Sequence, residues 1–355
     1  MKIVAIRSFI KHMALKKPYT IAYNTYSDVS IVFTEIQLAN GAVGIGSASP
    51  AEDVVGESPI QTLANLESDI VQQLVGRDIR SFQKIIAEVQ KHFPHLPGTQ
   101  AALDIALHDA FGKWAGISIA DFYGIQSGPL KTSVTIGIKN RVETLAEAAE
   151  YFSQGFNIFK IKTGLDVEED IERILLLNEK YGNQISIRVD ANQGYTLSKL
   201  TRFINATQHT GLELIEQPLP VGKETDLLLL DQAKRKKLAA DESLHHAKAA
   251  LDLATVNHPF GIYNIKLMKC GGLLGAREIA GIAKPAGIQL FWGCNDESII
   301  SITAALHIAY SCPHTQYLDL DGSFDLAEDL VKGGFEIKNG LMMINQQPGF
   351  GYEWI

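Results

Sequence analysis

The sequence predicts an α/β protein: a modified (β/α)7β barrel of the TIM type, preceded by an N-terminal α+β capping domain. Short β-rich segments alternate with helix-like segments from about residue 131 onward. Five of these segments each end in an ionisable residue, and the gaps between those residues are 28, 26, 25 and 25 positions. One strand plus one crossover helix occupies about that length. The first 125 residues instead show patterns typical of antiparallel strands and helices.

The predicted capping domain covers residues 1–125. Apolar and polar residues alternate over Ser30–Leu38, which predicts a half-buried strand. The dipeptide Asn40-Gly41 follows and favours a tight hairpin turn. Helical patterns then occupy residues 59–75, 80–92 and 99–114.

The predicted catalytic barrel covers residues 126–322 and contains eight strands with seven helices between them. The strands are predicted at Ser133–Ile138, Phe159–Lys162, Ser186–Asp190, Glu213–Glu216, Leu238–Asp241, Tyr263–Met268, Gln289–Gly293 and Gln316–Leu320. Amphipathic patterns predict helices such as Val167–Tyr181, Leu197–Thr210 and Gly275–Ala286. The remaining segment, 323–355, shows no clear eighth helix, and we expect it to pack back on the capping domain.

Composition excludes several classes of function. The net charge is −8 and no basic block is present, which argues against nucleic-acid binding. The longest uncharged stretch, Ser298–Pro313, is too short and polar for a membrane span and predicts a buried barrel helix. The three cysteines, Cys270, Cys294 and Cys312, are scattered, which favours a cytoplasmic protein without a disulfide framework. Barrels of this kind often form homo-oligomers, but no oligomer interface can be recognised in the sequence.

Three carboxylates end consecutive predicted strands: Asp190, Glu216 and Asp241. The carboxyl ends of barrel strands converge on one mouth, so these side chains should meet there. Oxygen ligands without histidine or cysteine favour a hard cation, and Mg²⁺ is the expected metal. Alternatively, each acid could simply stabilise the start of the next helix. Three of them on successive strands, with a lysine before and after, favour the metal site.

Lysines end the strands on either side of this acidic group. Lys160 and Lys162 share one face of their strand, because the intervening Ile161 points the other way. Neighbouring ammonium groups and burial should lower their pKa values, as a base near neutral pH requires. Lys162 and Lys266 lie on strands two and six, which face each other across an eight-stranded barrel. Two bases on opposite sides of a metal-bound substrate predict a racemase or epimerase.

Several segments resemble the muconate-lactonising branch of the enolase superfamily over nearly the whole chain. They are KIKTG, RVDANQGY, IEQP, ADES and NIKLMKCGG. A lysine base combined with Mg²⁺ is a pattern of that superfamily. The resemblance implies that Lys162 and Lys266 are the two bases and that Lys160 assists Lys162. It also implies that the three strand-end carboxylates bind Mg²⁺.

The segment YLDLDGS places Asp319 and Asp321 on one face at the end of strand eight. Two acids projecting into a barrel mouth need a cation nearby, and with the metal held elsewhere an organic ammonium is expected. This Asp-x-Asp resembles the dipeptide epimerases of the superfamily, where it binds the α-amino group of the substrate. The resemblance implies 1,1-proton transfer at the α-carbon of the C-terminal residue of a dipeptide. The substrate carboxylate would lie near Mg²⁺ and Lys160.

The sequence also bears on which dipeptide is used. In related epimerases acting on Ala-Glu, an arginine of the N-terminal unit pairs with the substrate's side-chain carboxylate. The corresponding stretch, PYTIAYNTYS, has Asn24 and no arginine. Glu52, Asp53 and Asp296 are acids expected near the site, and they would suit lysine or arginine side chains. Alternatively, Glu52 and Asp53 are ordinary solvated loop charges.

Two other interpretations use the same residues. Another enzyme of the branch, such as a cycloisomerase or o-succinylbenzoate synthase, would share the metal site and lysines but would not require Asp319 and Asp321. A non-catalytic carboxylate-binding protein would need no base on either face of its ligand. The sequence therefore favours a dipeptide epimerase.

Overall fold

The computed structural model describes residues 1–20 and 24–355. The chain begins with an antiparallel sheet of β1 (Ile3–Thr20), β2 (Thr25–Leu38) and β3 (Val43–Ala48). The predicted hairpin at Asn40-Gly41 joins β2 to β3, and Gly41 takes the positive φ of 87° that the turn requires.

Six helices follow this sheet. They are α1 (Glu52–Val55), α2 (Pro59–Leu66), α3 (Asp69–Gln72), α4 (Phe82–His92), α5 (Pro97–Ala115) and α6 (Ile119–Tyr123). The helix predicted over 59–75 is broken into α2 and α3, because Ser68 adopts an extended conformation and its Oγ donates to Asn65 O at 2.6 Å. α5 packs closely on β3, where a Cβ at Gly44 would lie 2.3 Å from Ala106 O. Glycine is therefore required at this contact.

Eight parallel strands form the barrel, each hydrogen-bonded to the next in sequence order. They are β5 (Val134–Ile136), β6 (Ile158–Lys162), β7 (Ser186–Asp190), β8 (Leu212–Glu216), β9 (Leu238–Ala240), β10 (Ile262–Ile265), β11 (Gln289–Trp292) and β12 (Thr315–Leu318), with the two-residue β4 (Leu130–Lys131) before them. The last strand approaches the first through the Thr132–Leu318 bridge and the hydrogen bond from Ser133 N to Leu318 O, 3.0 Å. The predicted barrel is thus present.

Helices occupy the seven connections between these strands. They are α7 (Arg141–Ser153), α8 (Val167–Tyr181), α9 (Leu197–Thr207), α10 (Gln232–Arg235), α11 (Ala247–Leu253), α12 (Leu267–Cys270), α13 (Leu273–Ala286) and α14 (Ile299–Tyr310). α14 is buried along most of its length, as predicted for the uncharged stretch. Within the described parts of the chain, no helix has both the length and the apolar character needed to cross a bilayer.

The C-terminal segment forms short strands. These are β13 (Val331–Gly333), β14 (Phe335–Lys338), β15 (Leu341–Ile344) and β16 (Tyr352–Trp354). β13 pairs with β16. A separate three-stranded sheet has the order β14-β15-β4. Two hydrogen bonds reach the N-terminal sheet, from Tyr352 OH to Ile45 O at 2.7 Å and from Trp354 Nε1 to Glu35 Oε1 at 2.7 Å.

The N-terminal sheet also contacts the mouth of the barrel. Leu15 of β1 forms an antiparallel bridge with Leu326, and Lys16 N donates to Asp325 O at 2.7 Å. Ser49, just after β3, donates through Oγ to Asp296 O at 2.6 Å. The carboxyl ends of the strands are therefore covered by the first fifty residues of the chain.

Candidate active site at the barrel mouth

Asp190, Glu216 and Asp241 converge at the barrel mouth, and we call them the carboxylate cluster. Asp190 and Glu216 are paired in register at the ends of β7 and β8, and Asp241 directly follows β9. One carboxylate oxygen from each lies within 4.8 Å of the others, and all three side chains are buried.

The carboxylate cluster fits a hard divalent cation. Glu216 Oε1 accepts a hydrogen bond from Asn264 Nδ2 at 2.7 Å, but among the described residues Oε2 has no hydrogen-bond donor. That oxygen does lie 2.8 Å from Lys160 Nζ, an ion-pair distance without hydrogen-bond geometry. Burial and the charge of Asp190 raise the pKa of Glu216 to about 8. A buried carboxylate with a free oxygen beside two others is a site that a metal ion stabilises.

Lys162 and Lys266 each contact one member of the cluster. Lys162 Nζ donates to Asp190 Oδ2 at 2.7 Å, and Lys266 Nζ donates to Asp241 Oδ2 at 2.8 Å. β6 and β10, which carry or precede these lysines, are separated by three strands in the sheet order. The two ammonium groups therefore approach the cluster from different sides of the mouth.

The predicted lowering of the pKa is wrong for Lys160 in this structure. Burial lowers the pKa of Lys160, but the charges of Asp319, Glu216 and Asp190 outweigh it and hold that pKa well above its ordinary value. The pKa of Lys266 is also raised, because Asp241 and Glu216 outweigh its burial. The prediction counted neighbouring lysines and did not count the carboxylates that separate them.

Asp319 and Asp321 lie just beyond β12 and have different partners. Asp319 accepts hydrogen bonds from Ser133 Oγ at 2.6 Å and from Lys160 Nζ at 2.8 Å. Asp321 Oδ2 accepts from Thr135 N at 2.7 Å, and no cation of the described residues forms an ion pair with it. Asp319 thus has a cationic partner within the chain, which the sequence did not indicate, whereas Asp321 has none among the described residues.

Two cavities adjoin these groups. The mouth cavity is lined by Lys160, Lys162, Lys266, Asp296, Asp321, Asp325 and neighbouring residues. The cap cavity lies toward the N-terminal unit and is lined by Tyr26, Ala51, Val54, Lys162, Lys266, Asp296 and neighbouring residues. Asp296 and both lysines belong to each cavity, so a molecule bound between the lysines can extend into either one.

The expected cap acids do not line these cavities. Glu52 and Asp53 are exposed in the first turn of α1, where a helix N-terminus favours acidic side chains, and the neighbouring Ala51 and Val54 face the cap cavity instead. Asn24 is exposed and its Nδ2 donates to Asp53 Oδ2 at 3.4 Å. The adjoining residues 21–23 of the predicted specificity stretch lie outside the described residues.

Sequence reasoning missed other charged and polar groups at the site. Lys269 is buried, and its Nζ donates to the Asp241 carboxylate and to Asn264 O at 3.1 Å. Its position one helical turn after Lys266, in NIKLMKC, was the available signal. Glu147 and Asp325 line the mouth cavity, although neither lies at the end of a strand.

The chain is similar to known proteins along its whole length. Residues 4–124 match the N-terminal domain of the mandelate racemase / muconate lactonizing enzyme family, and residues 143–355 match the enolase C-terminal domain-like family. The L-Lys-D/L-Arg epimerase of Desulforapulum autotrophicum is 49% identical, with 100% of both chains covered. The enzyme of that description from Methylococcus capsulatus is 45% identical, with 99% of each covered.

A solved structure extends this similarity to three dimensions. The dipeptide epimerase from Methylococcus capsulatus, complexed with Mg and the dipeptide L-Arg-D-Lys, superposes with a TM-score of 0.98. It is 45% identical, and 100% of each chain is covered.

Proposed function

This chain belongs to the dipeptide epimerases of the enolase superfamily, and we propose that its preferred dipeptides carry lysine or arginine side chains. The family match and the similar Mg-containing structures confirm the predicted superfamily, epimerase activity and Mg²⁺ cofactor. Lys162 and Lys266, placed on either side of the carboxylate cluster, carry the functional proposal. Inversion at one carbon needs a proton removed from one face and another delivered to the opposite face.

The carboxylate cluster is the proposed Mg²⁺ site, with Asp190, Glu216 and Asp241 as ligands. When bound, Mg²⁺ supplies positive charge that stabilises the substrate carboxylate as the α-proton leaves and opposes the raised lysine pKa values. The Glu216 oxygen without a hydrogen-bond donor supports this assignment.

The lysines perform the proton transfers in this proposal. The Nζ of one lysine, in its neutral form, takes the α-proton of the C-terminal residue. The Nζ of the other, as an ammonium, then delivers a proton to the opposite face. Lys160 lies between the cluster and Asp319 and would contact the substrate carboxylate. Either direction of epimerisation uses the same two groups with their roles exchanged.

Asp321 is the proposed partner of the substrate's α-ammonium group. Its side chain is 6% exposed, and burial together with Asp319 and Asp325 raises its pKa well above the ordinary value. A cation in the mouth cavity would favour the charged form of Asp321. This explains why the free amino group of a dipeptide suits the site.

Asp296 is the proposed acid that favours cationic side chains. It lines both cavities, and its backbone oxygen is held by Ser49 at 2.6 Å. The similarity to two enzymes described as L-Lys-D/L-Arg epimerases supports this preference.

We further propose three functional parts for the chain. Residues 1–125 form the cap over the mouth, residues 126–322 form the catalytic barrel, and residues 323–355 fasten the barrel to the cap. The contacts of Tyr352 and Trp354 with the N-terminal sheet support the last part. The three free cysteines support a reducing, cytoplasmic location.

The substrate proposal is tested by comparing kcat/KM for L-Lys-L-Arg, L-Ala-L-Glu and L-Leu-L-Tyr at fixed ionic strength. The expected preference for L-Lys-L-Arg is at least about tenfold. An enclosed charge pair contributes more binding free energy than an exposed one. Asp296→Asn should reduce that preference, and the exposed Asp53→Asn should leave it unchanged. Faster turnover of L-Ala-L-Glu by the parent enzyme would overturn the cationic preference.

A further inference from the structure

A third cavity, which we call the side chamber, adjoins the mouth cavity, and no member of the carboxylate cluster lines it. Its volume is about 360 Å³. Four residues line both spaces: Lys17, Tyr151, Asp321 and Asp325. None of the three active-site lysines Lys160, Lys162 and Lys266 lines the side chamber. The two spaces are therefore neighbours across a shared wall that contains Asp321.

The position of Asp321 determines where the first residue of a dipeptide must lie. The α-ammonium and the side chain of that residue are attached to the same carbon, so its side chain starts beside Asp321. Three of the four lysines that line the mouth cavity, Lys160, Lys162 and Lys266, lie around the reacting carbon and would repel a cationic side chain placed beside them. The side chamber is the adjoining space without them.

The walls of the side chamber suit a long side chain with a charged end. Phe156, Phe324 and Ile337 provide apolar surface for an alkyl stem, and Asp325 provides a carboxylate. Two lysines also line it but have other partners. Lys17 Nζ pairs with Glu150 Oε2 at 2.7 Å, and Lys16 Nζ donates to Phe324 O at 2.7 Å.

Asp325 is the acid of this chamber that still needs a partner. Among the described residues, no donor or cation lies within hydrogen-bond or ion-pair distance of its carboxylate. Burial, followed by the charges of Asp296 and Glu147, raises its pKa to about 7. Lys16 and Lys17 oppose that increase only through longer-range attraction. A cationic group entering the chamber would meet a carboxylate that it stabilises.

We infer, on the basis of the proposed function, that the side chamber binds the side chain of the substrate's N-terminal residue and that Asp325 selects lysine or arginine there. The C-terminal side chain then lies on the other side of the reacting carbon, toward the cap cavity. Selectivity at the two positions of the dipeptide is therefore set by different residues.

The test uses the complete enzyme, saturated with Mg²⁺, and three substrates: L-Lys-L-Ala, L-Ala-L-Lys and L-Ala-L-Ala. Asp325→Asn should lower kcat/KM for L-Lys-L-Ala about tenfold, mainly through KM, and change L-Ala-L-Lys by less than about twofold. Glu328→Gln is the matched control, because this neighbouring acid is exposed and pairs with Lys11. It should change none of the three values.

A second variant tests the chamber by size. Gln154→Trp, at the exposed end of α7, places a bulky ring on the chamber wall and should impair L-Lys-L-Ala more than L-Ala-L-Ala. Thermal melting establishes that both variants are folded. Equal losses for L-Lys-L-Ala and L-Ala-L-Lys in Asp325→Asn, or no loss for L-Lys-L-Ala, would overturn the inference. If the parent enzyme turns over none of the dipeptides, the proposed function itself fails and the inference falls with it.

Discussion

Each proposed base is held by a different member of the carboxylate cluster. Lys162 contacts Asp190, whereas Lys266 contacts Asp241. Removing one lysine therefore leaves the other with its own partner and its own position at the mouth. This independence makes the two bases separable by mutation.

We predict that Lys162→Ala and Lys266→Ala each lower net epimerisation by at least about 100-fold, since each removes a proton donor or acceptor. Each variant should still exchange the α-proton of one substrate stereoisomer with solvent, because one face keeps its base. Nuclear magnetic resonance in D₂O measures both quantities. If either variant exchanges both stereoisomers at the parent rate, the assignment of two bases is incorrect.

The neutral Asn264 positions the cluster through its hydrogen bond to Glu216, 2.7 Å. Asn264→Leu should weaken Mg²⁺ binding about tenfold, because the ligand loses the group that orients it. The change in melting temperature across a Mg²⁺ titration measures this affinity. Asn157→Leu, which alters a half-buried amide at the amino end of β6, is the control. Equal Mg²⁺ affinity in parent and Asn264→Leu would contradict this role.

The sequence predicted residues of the site when they occupied the ends of regular strands. The carboxylate cluster and the lysines repeat with the strand-helix period, so their convergence follows from the barrel. Asp325 and Glu147 have no such period, and they reach the mouth only because the loop after β12 and helix α7 pack beside β1. From the sequence, Glu52 and Asp53 were expected near the site like Asp296, but in the structure they are exposed to solvent.

At the scale of elements, the barrel helix α13 is capped from the N-terminal unit. Its own N-cap is Gly272, which has no side chain, and Asp104 of α5 accepts from Leu273 N at 2.9 Å and Leu274 N at 3.2 Å. This capping interaction joins the two units and could not be recognised from local sequence.

Asp104→Ala should lower the free energy of unfolding by about 1–3 kcal/mol, because two buried helix N–H groups lose their acceptor. Urea denaturation measures the loss. Asp69→Ala is the control, since Asp69 lies in the first turn of the short helix α3 and makes no comparable side-chain cap. A similar loss of unfolding free energy in both variants would show that the contact of Asp104 with α13 does not stabilise the fold more than an ordinary surface acid does.

The loop between β11 and α14 contains a buried acid, Glu297, whose contribution to the stability of the fold depends on pH. Burial raises the pKa of Glu297 to about 7, with Asp296 adding to the increase and Ser301, Asn295 and Lys266 opposing it. The folded state then binds more protons than the unfolded state between about pH 4.5 and pH 7. The contribution of Glu297 to stability therefore falls as pH rises through that window.

Glu297→Gln should remove this decline, because the amide oxygen can still accept from Asn295 N, a 2.8 Å bond in the parent, and it carries no charge. The free energy of unfolding of the variant minus that of the parent should be about 2–3 kcal/mol larger at pH 8 than at pH 5. Urea denaturation at both pH values provides the comparison. A stability difference that does not change with pH would count against the buried charge.

Several elements could not be predicted from their local sequence. The strands β13–β16 contain three or four residues each and depend on partners far away in the chain, so they show no periodicity of their own. The connection between β8 and β9 contains only a short turn of helix, Glu224–Leu229, and the four-residue α10. By contrast, α8 has the predicted bounds, because its apolar stripe spans four turns.

At the scale of the whole molecule, the proposed catalytic residues and the proposed selectivity residues come from different parts of the fold. The strand ends supply the carboxylate cluster and the lysines, while the N-terminal sheet and the barrel loops enclose them. The contact of Leu15 with Leu326 brings the cap beside the segment that carries Asp325. The proposed catalytic residues could be predicted from their spacing, whereas the proposed selectivity residues are brought together by packing between distant segments.

The most direct measurement follows the two α-protons of L-Lys-L-Arg in D₂O by nuclear magnetic resonance. We predict that the enzyme exchanges the α-proton of the arginine residue, leaves that of the lysine residue intact, and forms the L,D product. Chelation of Mg²⁺ should stop the exchange, and added Mg²⁺ should restore it. Exchange at the lysine residue, or exchange that persists at the parent rate after complete chelation, would contradict a two-base, Mg²⁺-dependent epimerase.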